Sequence, residues 1–226
     1  VIAENRLSAL GDVALAVLPS PQALTDEAWR TLLAYVERGG ALLVTGPVER
    51  DEHWRISPRA AEVGLPAVAR PLTYHGSRLT LAGERGVDLS FEQHKQHWLD
   101  TLVFPDGATL KEVRHGKGRI LWAADPVELA EGTAPVAALY RHVLGKLGVV
   151  ERFALSSQAP AGVLICPIPL GRDVLYVLVS EEAGATKIDL TDRPTGVRLR
   201  LELPSEHAAL ALISGAQRKL VARYGF

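Results

Sequence analysis

Two short apolar runs that flank one amphipathic helix pattern constrain this chain most. In "DVALAVLPS" (Asp12 to Ser20), Val13, Leu15 and Val17 alternate with Ala14 and Ala16 rather than with polar residues. Such a run is expected to form a strand buried on both faces, as in a parallel sheet. Pro19 and Pro21 end it. Thr25 is placed to cap a helix, with Asp26 and Glu27 at the positive end of its dipole. Trp29, Leu32, Leu33 and Val36 recur at i, i+3, i+4 and i+7 as a single stripe. Gly39 and Gly40 supply the stop, and "ALLVTG" (Ala41 to Gly46) follows as a second buried strand. Strand, helix and strand with short links make a right-handed βαβ unit.

The pattern then changes twice. From about residue 66 to 115, short alternating runs punctuated by glycine suggest a β insertion, preceded by a short helix in "ISPRAAEVGL". "TLKEVRHGKGRILWAAD" reads as two strands meeting at Gly116-Lys117-Gly118, and "RILWAA" is a third buried strand. "APVAALYRHVLGKLGV" is a helix whose Val136, Leu139, Tyr140, Val143 and Leu147 share a face. After Val150 about six short strands separated by Gly, Pro, Asp or Ser suggest a small antiparallel β-sandwich. In "VRLRLEL", Val197, Leu199, Leu201 and Leu203 face one way and Arg198, Arg200 and Glu202 the other. The expected domains are therefore an α/β domain over residues 1–149, with an insertion at about 66–115, and a β domain over 150–226. Doubly wound sheets commonly have five or six strands. Only three parallel candidates are visible here, so the N-terminal part of the α/β sheet is expected to lie upstream of Val1.

Composition removes several function classes. The chain has 226 residues, 25 Lys and Arg against 26 Asp and Glu, one Cys and no Met. Balanced charge argues against a nucleic-acid or anionic-membrane surface, and no apolar run approaches the roughly 20 residues of a membrane span. The single Cys166 excludes an internal disulfide framework and a multi-cysteine zinc site. Set between Ile165 and Pro167 with no His near it in sequence, Cys166 is expected to be buried and inert. "VIAENRLSAL" lacks the basic start and apolar centre of a signal peptide, and the cytoplasm is the default compartment. A chain that opens at Val1 without Met reads as a piece of a longer polypeptide.

Candidate chemistry is sparse. A nucleophile elbow needs Ser or Cys in a strained turn after a strand, and "VTGPVERD" offers only the hydroxyl of Thr45 at the strand end. "HGKGR" (His115 to Arg119) is too short for a phosphate loop and reads as a hairpin turn. The densest polar-aromatic segment is "SFEQHKQHWLD". His94 and His97, with Glu92 or Asp100, contain ligand types for a metal. Their spacing lacks the i, i+4 histidine pair with an intervening glutamate, and no metal or other cofactor is expected. Packing or a wet interface is one reading of Glu92, His94, His97 and Trp98. The other is sugar contact, with Trp98 under a pyranose ring and His and Glu on its hydroxyls. His53 and Trp54, in "DEHWR", have the same character and follow a strand's carboxyl end, where open α/β sheets bind ligands.

"LSALGDVALAVLPSPQALTDEAWRTLLAYVERGGALLVTG" (Leu7 to Gly46) resembles the trimerisation domain of family 42 β-galactosidases, and "GKGRILWAADPVELAEG" (Gly116 to Gly132) continues the likeness. The echoes are a strand ending in Pro, a helix ending in "YVERGG", and a strand ending in "TG". The resemblance implies a flavodoxin-like domain similar to class I glutamine amidotransferases that has lost its nucleophile, followed by a small β domain. It also implies an upstream catalytic (β/α)8 barrel in the same polypeptide and a homo-oligomer, with a trimer favoured. The family's two catalytic glutamates belong to the barrel, so no catalytic residue carries over to this chain. The expected function is the non-catalytic C-terminal portion of a β-galactosidase-like glycoside hydrolase, serving oligomerisation and shaping of the active site. The alternatives are a carbohydrate-binding module and a free-standing amidotransferase-like hydrolase domain.

Overall fold

The structure is a computed structural model that describes residues 2–11, 13–21, 23–65, 76–81, 83, 86–91, 110–157 and 162–225. The chain divides into two compact units, Val1–Val149 and Val150–Phe226.

In the first unit a 3-10 turn at Glu4–Leu10 precedes β1 (Leu15–Leu18), α1 (Asp26–Glu37) and β2 (Ala41–Thr45). Then come α2 (Arg59–Glu62), β3 (Gly76–Leu79), β4 (Val87–Ser90), β5 (Lys111–His115), β6 (Gly118–Ala123) and α3 (Ala134–Lys146). The main sheet has the order β1-β2-β6-β5. β1, β2 and β6 are parallel, and β5 closes the far edge antiparallel to β6. α1 forms where the periodicity places it. The Thr25 hydroxyl accepts from the Ala28 N–H, and the helix buries Ala28, Trp29, Leu32, Tyr35 and Val36. Each large side chain so removed from water contributes about 1.5–3 kcal/mol. α3 buries Pro135, Leu139 and Val143. β3 and β4 form a separate antiparallel pair, yet Leu79, Leu81, Leu89 and Phe91 belong to the main core.

The strand expected to be buried on both faces is not so buried. β2 is buried throughout and β6 nearly so, but in β1 only Ala16 is buried, and Val17 and the preceding Val13 are exposed. β1 is the edge of the described sheet. A groove of about 660 Å³ runs beside it, lined by Leu7, Leu10, Val17, Leu24, Leu32 and Tyr140 among others. An apolar run specifies a buried strand only where neighbours cover both faces, and here one side is open.

Two glycine signals far apart in sequence meet in space. Lys117 N–H donates to the Glu37 carbonyl and Arg119 N–H to the Gly40 carbonyl. The "ERGG" helix end and the "HGKG" hairpin are thus stitched together, and His115 lies 3.3 Å from the Glu37 carboxylate.

The second unit comprises β7 (Phe153–Leu155), β8 (Val163–Leu170), β9 (Asp173–Ser180), β10 (Thr186–Asp192), β11 (Arg198–Leu203), β12 (Ala208–Ser214) and β13 (Lys219–Tyr224). Two antiparallel sheets, β11-β10-β7 and β13-β12-β9-β8, share one core that includes Tyr176, Leu178, Leu190, Leu203 and Ile213. Phe153 meets the Tyr176 ring edge-on at 6.0 Å. Leu199 and Leu203 are buried while Arg198, Arg200 and Glu202 are exposed.

The other face of the four-stranded sheet is apolar as well. Its central rung runs Cys166, Val177, Leu210, Tyr224. The rungs on either side carry Leu164 with Val179, and Ile168 with Leu175 and Leu212. Cys166 is exposed, which corrects its expected burial. "VLICPIPL" is apolar at every position, so polarity does not mark its inward face. The core takes Val163 and Ile165, and Cys166, one step on, points the other way.

Candidate functional site

In open parallel sheets ligands collect beyond the carboxyl ends of the strands. Here those ends are Pro19–Ser20 after β1, Thr45–Gly46 after β2 and Ala124–Asp125 after β6. A hydrogen-bonded cluster joins them. Ser20, held between two prolines at φ 43°, donates its N–H to Thr45 Oγ1 at 3.0 Å and its hydroxyl to Glu128 Oε2 at 3.1 Å. The Thr45 hydroxyl also donates to Glu128 Oε2. Tyr140, on α3, donates to Glu128 Oε1 at 2.8 Å. Burial, and then the Glu128 carboxylate it bonds, push the Tyr140 phenol far above its ordinary value. It stays a donor at any physiological pH.

Both Glu128 oxygens are therefore engaged by hydroxyls. This arrangement clamps β1, β2 and α3 together. Sequence reasoning missed Ser20 and Glu128 and read Tyr140 only as core. The available signal was a serine between two prolines at a strand's carboxyl end, followed on a later strand exit by the glutamate of "DPVEL".

Directly after β2 stands Gly46, with φ 75°. Its N–H donates to the carbonyls of Ala123 at 2.8 Å and Asp125 at 3.1 Å, and its carbonyl accepts from Trp122 Nε1 at 2.9 Å. The backbone has the left-handed turn that an exposed nucleophile would need, but a Cβ here would lie 3.2 Å from Pro126 Cβ. Gly46→Cys is expected to lower stability by about 1–3 kcal/mol through φ strain and crowding, and to create no hydrolytic activity. Urea unfolding and a chromogenic ester assay check both parts. An active, undiminished variant would contradict the crowding.

Past Gly46 the chain forms a braced loop. Asp51 Oδ1 accepts from the N–H groups of His53 and Arg55, each at 2.8 Å, and Oδ2 from Arg55 Nε at 2.9 Å. Burial alone would raise the Asp51 carboxyl. The two backbone N–H groups and the Arg55 guanidinium outweigh it and hold the carboxyl below its usual range. Trp54 N–H donates to the Asp51 carbonyl, and the Trp54 carbonyl accepts from Arg50 at 2.7 Å. Arg59, 1% exposed, reaches under the loop to the Arg50 carbonyl and to the Asp26 carboxylate.

The result is that Trp54 sits at φ 60° with 42% of its surface exposed, next to an exposed His53 and Ile56. Left-handed backbone at a bulky residue persists only where its surroundings impose it, and such positions concentrate at functional sites. Of the sequence candidates, His53 and Trp54 are thus neighbours on one constrained surface turn. Glu92, His94, His97 and Trp98 lie outside the described residues. No group of three or more His, Cys, Asp or Glu among the described residues is arranged to hold a metal. No described helix is long and apolar enough to cross a membrane.

Several solved structures superpose on this chain. The β-galactosidase from Bacillus circulans sp. alkalophilus superposes with a TM-score of 0.59 at 14% identity over 90% of this chain and 33% of its own. The chain has the fold of one portion of a β-galactosidase. The enzyme from Rahnella sp. R3 gives a TM-score of 0.57 at 13% identity, covering 89% of this chain and 32% of that one. The polyextremophilic β-galactosidase from the haloarchaeon Halorubrum lacusprofundi gives 0.52 at 16%, covering 93% and 32%. The chain spans about a third of the length of these proteins. No protein-family model and no curated protein matches the sequence.

Proposed function

We propose that this chain is the non-catalytic C-terminal portion of a β-galactosidase-like glycoside hydrolase. Its work is to hold subunits together and to shape the mouth of a pocket built by an upstream (β/α)8 barrel. The observation that carries this reading is the one-sided coverage: nearly all of this chain superposes on about a third of each β-galactosidase. The sheet is read as flavodoxin-like and related to class I glutamine amidotransferases. Gly46 supports that reading, since it keeps the turn of a nucleophile elbow without a side chain to react. The open edge of β1 and its apolar groove fit a sheet continued by preceding polypeptide. Retaining glycosidases need two carboxylates about 5–5.5 Å apart, and the Glu128 carboxylate, saturated by hydroxyls, is poorly placed for such work. Homo-oligomerisation, with a trimer favoured, belongs to this reading.

The Trp54 turn supplies the pocket-shaping part, with His53 beside it and the Glu92–Trp98 segment as a second candidate. The test is kinetic, in the N-terminally extended polypeptide. Trp54→Ala should raise KM or lower kcat for a chromogenic β-galactoside by about tenfold, with thermal stability nearly unchanged. Unchanged kinetics would remove Trp54 from the pocket. The 226-residue chain alone should not turn over the same substrate, and turnover abolished by mutating one of its own carboxylates would refute the non-catalytic reading. The exposed Trp54 also favours a second reading, a carbohydrate-binding module. Galactose titration of the isolated chain separates the two, because only a binder shifts its Trp fluorescence.

A further inference from the structure

We propose that Arg59 is a positioning residue: it does not meet the sugar, but it fixes where the Trp54 ring stands by holding the turn from beneath. This rests on the pocket-shaping reading of Trp54 given above. The Arg59 side chain is 1% exposed. It donates to the Arg50 carbonyl at 2.8 Å and to the Asp26 carboxylate on α1, and it lies 4.0 Å from the Glu52 carboxylate. Arg50 and Glu52 both belong to the turn that carries Trp54. The Arg50 guanidinium in turn donates to the Trp54 carbonyl at 2.7 Å. A line of contacts thus runs from the first residue of α1 through Arg59 and Arg50 to Trp54.

Stability does not account for a guanidinium at this place. α2 is already anchored by Ala60, and the chain after it by Val63 and Leu65, all of them in the main core. The Arg59 Nε has no hydrogen-bond partner among the described residues, and burying an unpaired donor is unfavourable. An apolar side chain of similar volume often replaces a buried ion pair without loss of stability. Its removal would not strand a buried charge either. The Asp26 side chain is 53% exposed, so its carboxylate turns to water and stays favourable in the first turn of α1. What an apolar residue cannot supply is the donor to the Arg50 carbonyl. Trp54 has φ 60°, a conformation that a bulky residue leaves once its surroundings stop imposing it. A return to negative φ redirects the Cα–Cβ bond and carries the ring away. A binding group works only when it is held to within about 0.5 Å of its productive place.

The experiment has a kinetic arm and a spectroscopic one. In the N-terminally extended polypeptide, Arg59→Met should lower kcat/KM for a chromogenic β-galactoside by about tenfold, as Trp54→Ala does, with the melting temperature nearly unchanged. The double variant should be no worse than either single one, because both remove the same contact. Val63→Ala, in the same stretch of chain, should do the reverse: a lower melting temperature and kcat/KM near wild type. In the 226-residue chain carrying 5-fluorotryptophan, the Trp54 resonance is the one lost in Trp54→Phe. Arg59→Met should shift or broaden it, while Trp122, whose Nε1 is held by the Gly46 carbonyl, keeps its own. Should Arg59→Met fold poorly, Asp26→Asn weakens the same link from α1 and should move the Trp54 resonance likewise. A Trp54 resonance that stays in place overturns the proposal and leaves the pocket reading standing. So do losses that multiply in the double variant, or a Val63→Ala that lowers kcat/KM as much as Arg59→Met. If Trp54→Ala leaves the kinetics unaltered, the pocket reading falls and takes the proposal with it.

Discussion

Asp192→Ala should destabilise the β unit by about 3–5 kcal/mol, the range for breaking a buried charged network by removing one partner. Asp192 is fully buried and its two oxygens accept four hydrogen bonds. Oδ1 takes Arg152 Nε at 2.9 Å and the Tyr176 hydroxyl at 2.8 Å. Oδ2 takes the N–H and the hydroxyl of Thr195. One side chain thus ties the end of β10 to the turn that follows it, to the centre of β9 and to the start of β7. Alanine would leave the Tyr176 hydroxyl buried without its acceptor and Arg152 without its counter-charge.

The same residue gives the β unit an acid limb. Burial would raise the Asp192 carboxyl, but the Thr195 and Tyr176 hydroxyls, the Thr195 N–H and Arg152 together pull it below its ordinary value. A carboxyl depressed in the folded state contributes its full stability above the unfolded value, near pH 4, and loses it as pH falls through the lower folded value. The gap between wild type and Asp192→Ala in urea-unfolding free energy should therefore be widest at neutral pH and shrink in strong acid. A gap that does not change with pH would show that the carboxylate's charge plays no part.

Gly118→Ala should be comparably severe in the α/β unit, about 3 kcal/mol or more, for steric reasons. A Cβ at Gly118 would lie 2.1 Å from the Gly40 carbonyl oxygen and 2.3 Å from that of Val36. Both are backbone atoms at the closed end of α1, so neither can swing aside as a flexible side chain would. Relief requires the β5–β6 hairpin to separate from α1. That would break the Lys117 to Glu37 and Arg119 to Gly40 hydrogen bonds, and overpacking of this kind costs 1–3 kcal/mol even where side chains can shift. Gly145→Ala is the control: nothing lies within 4 Å of its added Cβ. Helix propensity there makes the change neutral or stabilising by up to about 1 kcal/mol. Thermal unfolding followed by Trp fluorescence reads both variants. Equal melting temperatures for the two would contradict the close approach.

Local pattern in the sequence determined the elements whose environment is set by their own period. α1 with its Thr25 cap, the buried β2 and β6, the hairpin at Gly116–Gly118, the stripe on α3 and the alternation of β11 all follow from side-chain spacing and backbone sterics. Tertiary structure decided whatever depends on which neighbour is present. The "DVALAVL" run is as apolar as β2, yet it lies at a sheet edge and half of it meets solvent. "VLICPIPL" has no polar residue to mark a face, so only packing against the β10–β11 sheet turned Cys166 outward. Ser20, Thr45, Glu128 and Tyr140 come from four separate stretches of chain, and no spacing rule joins them. His53 and Trp54 were legible as a polar-aromatic pair at a strand exit. Their setting was not: the left-handed Trp54 is imposed by Asp51, Arg50 and the buried Arg59, whose hold on the loop exists only once α1 and α2 have packed together.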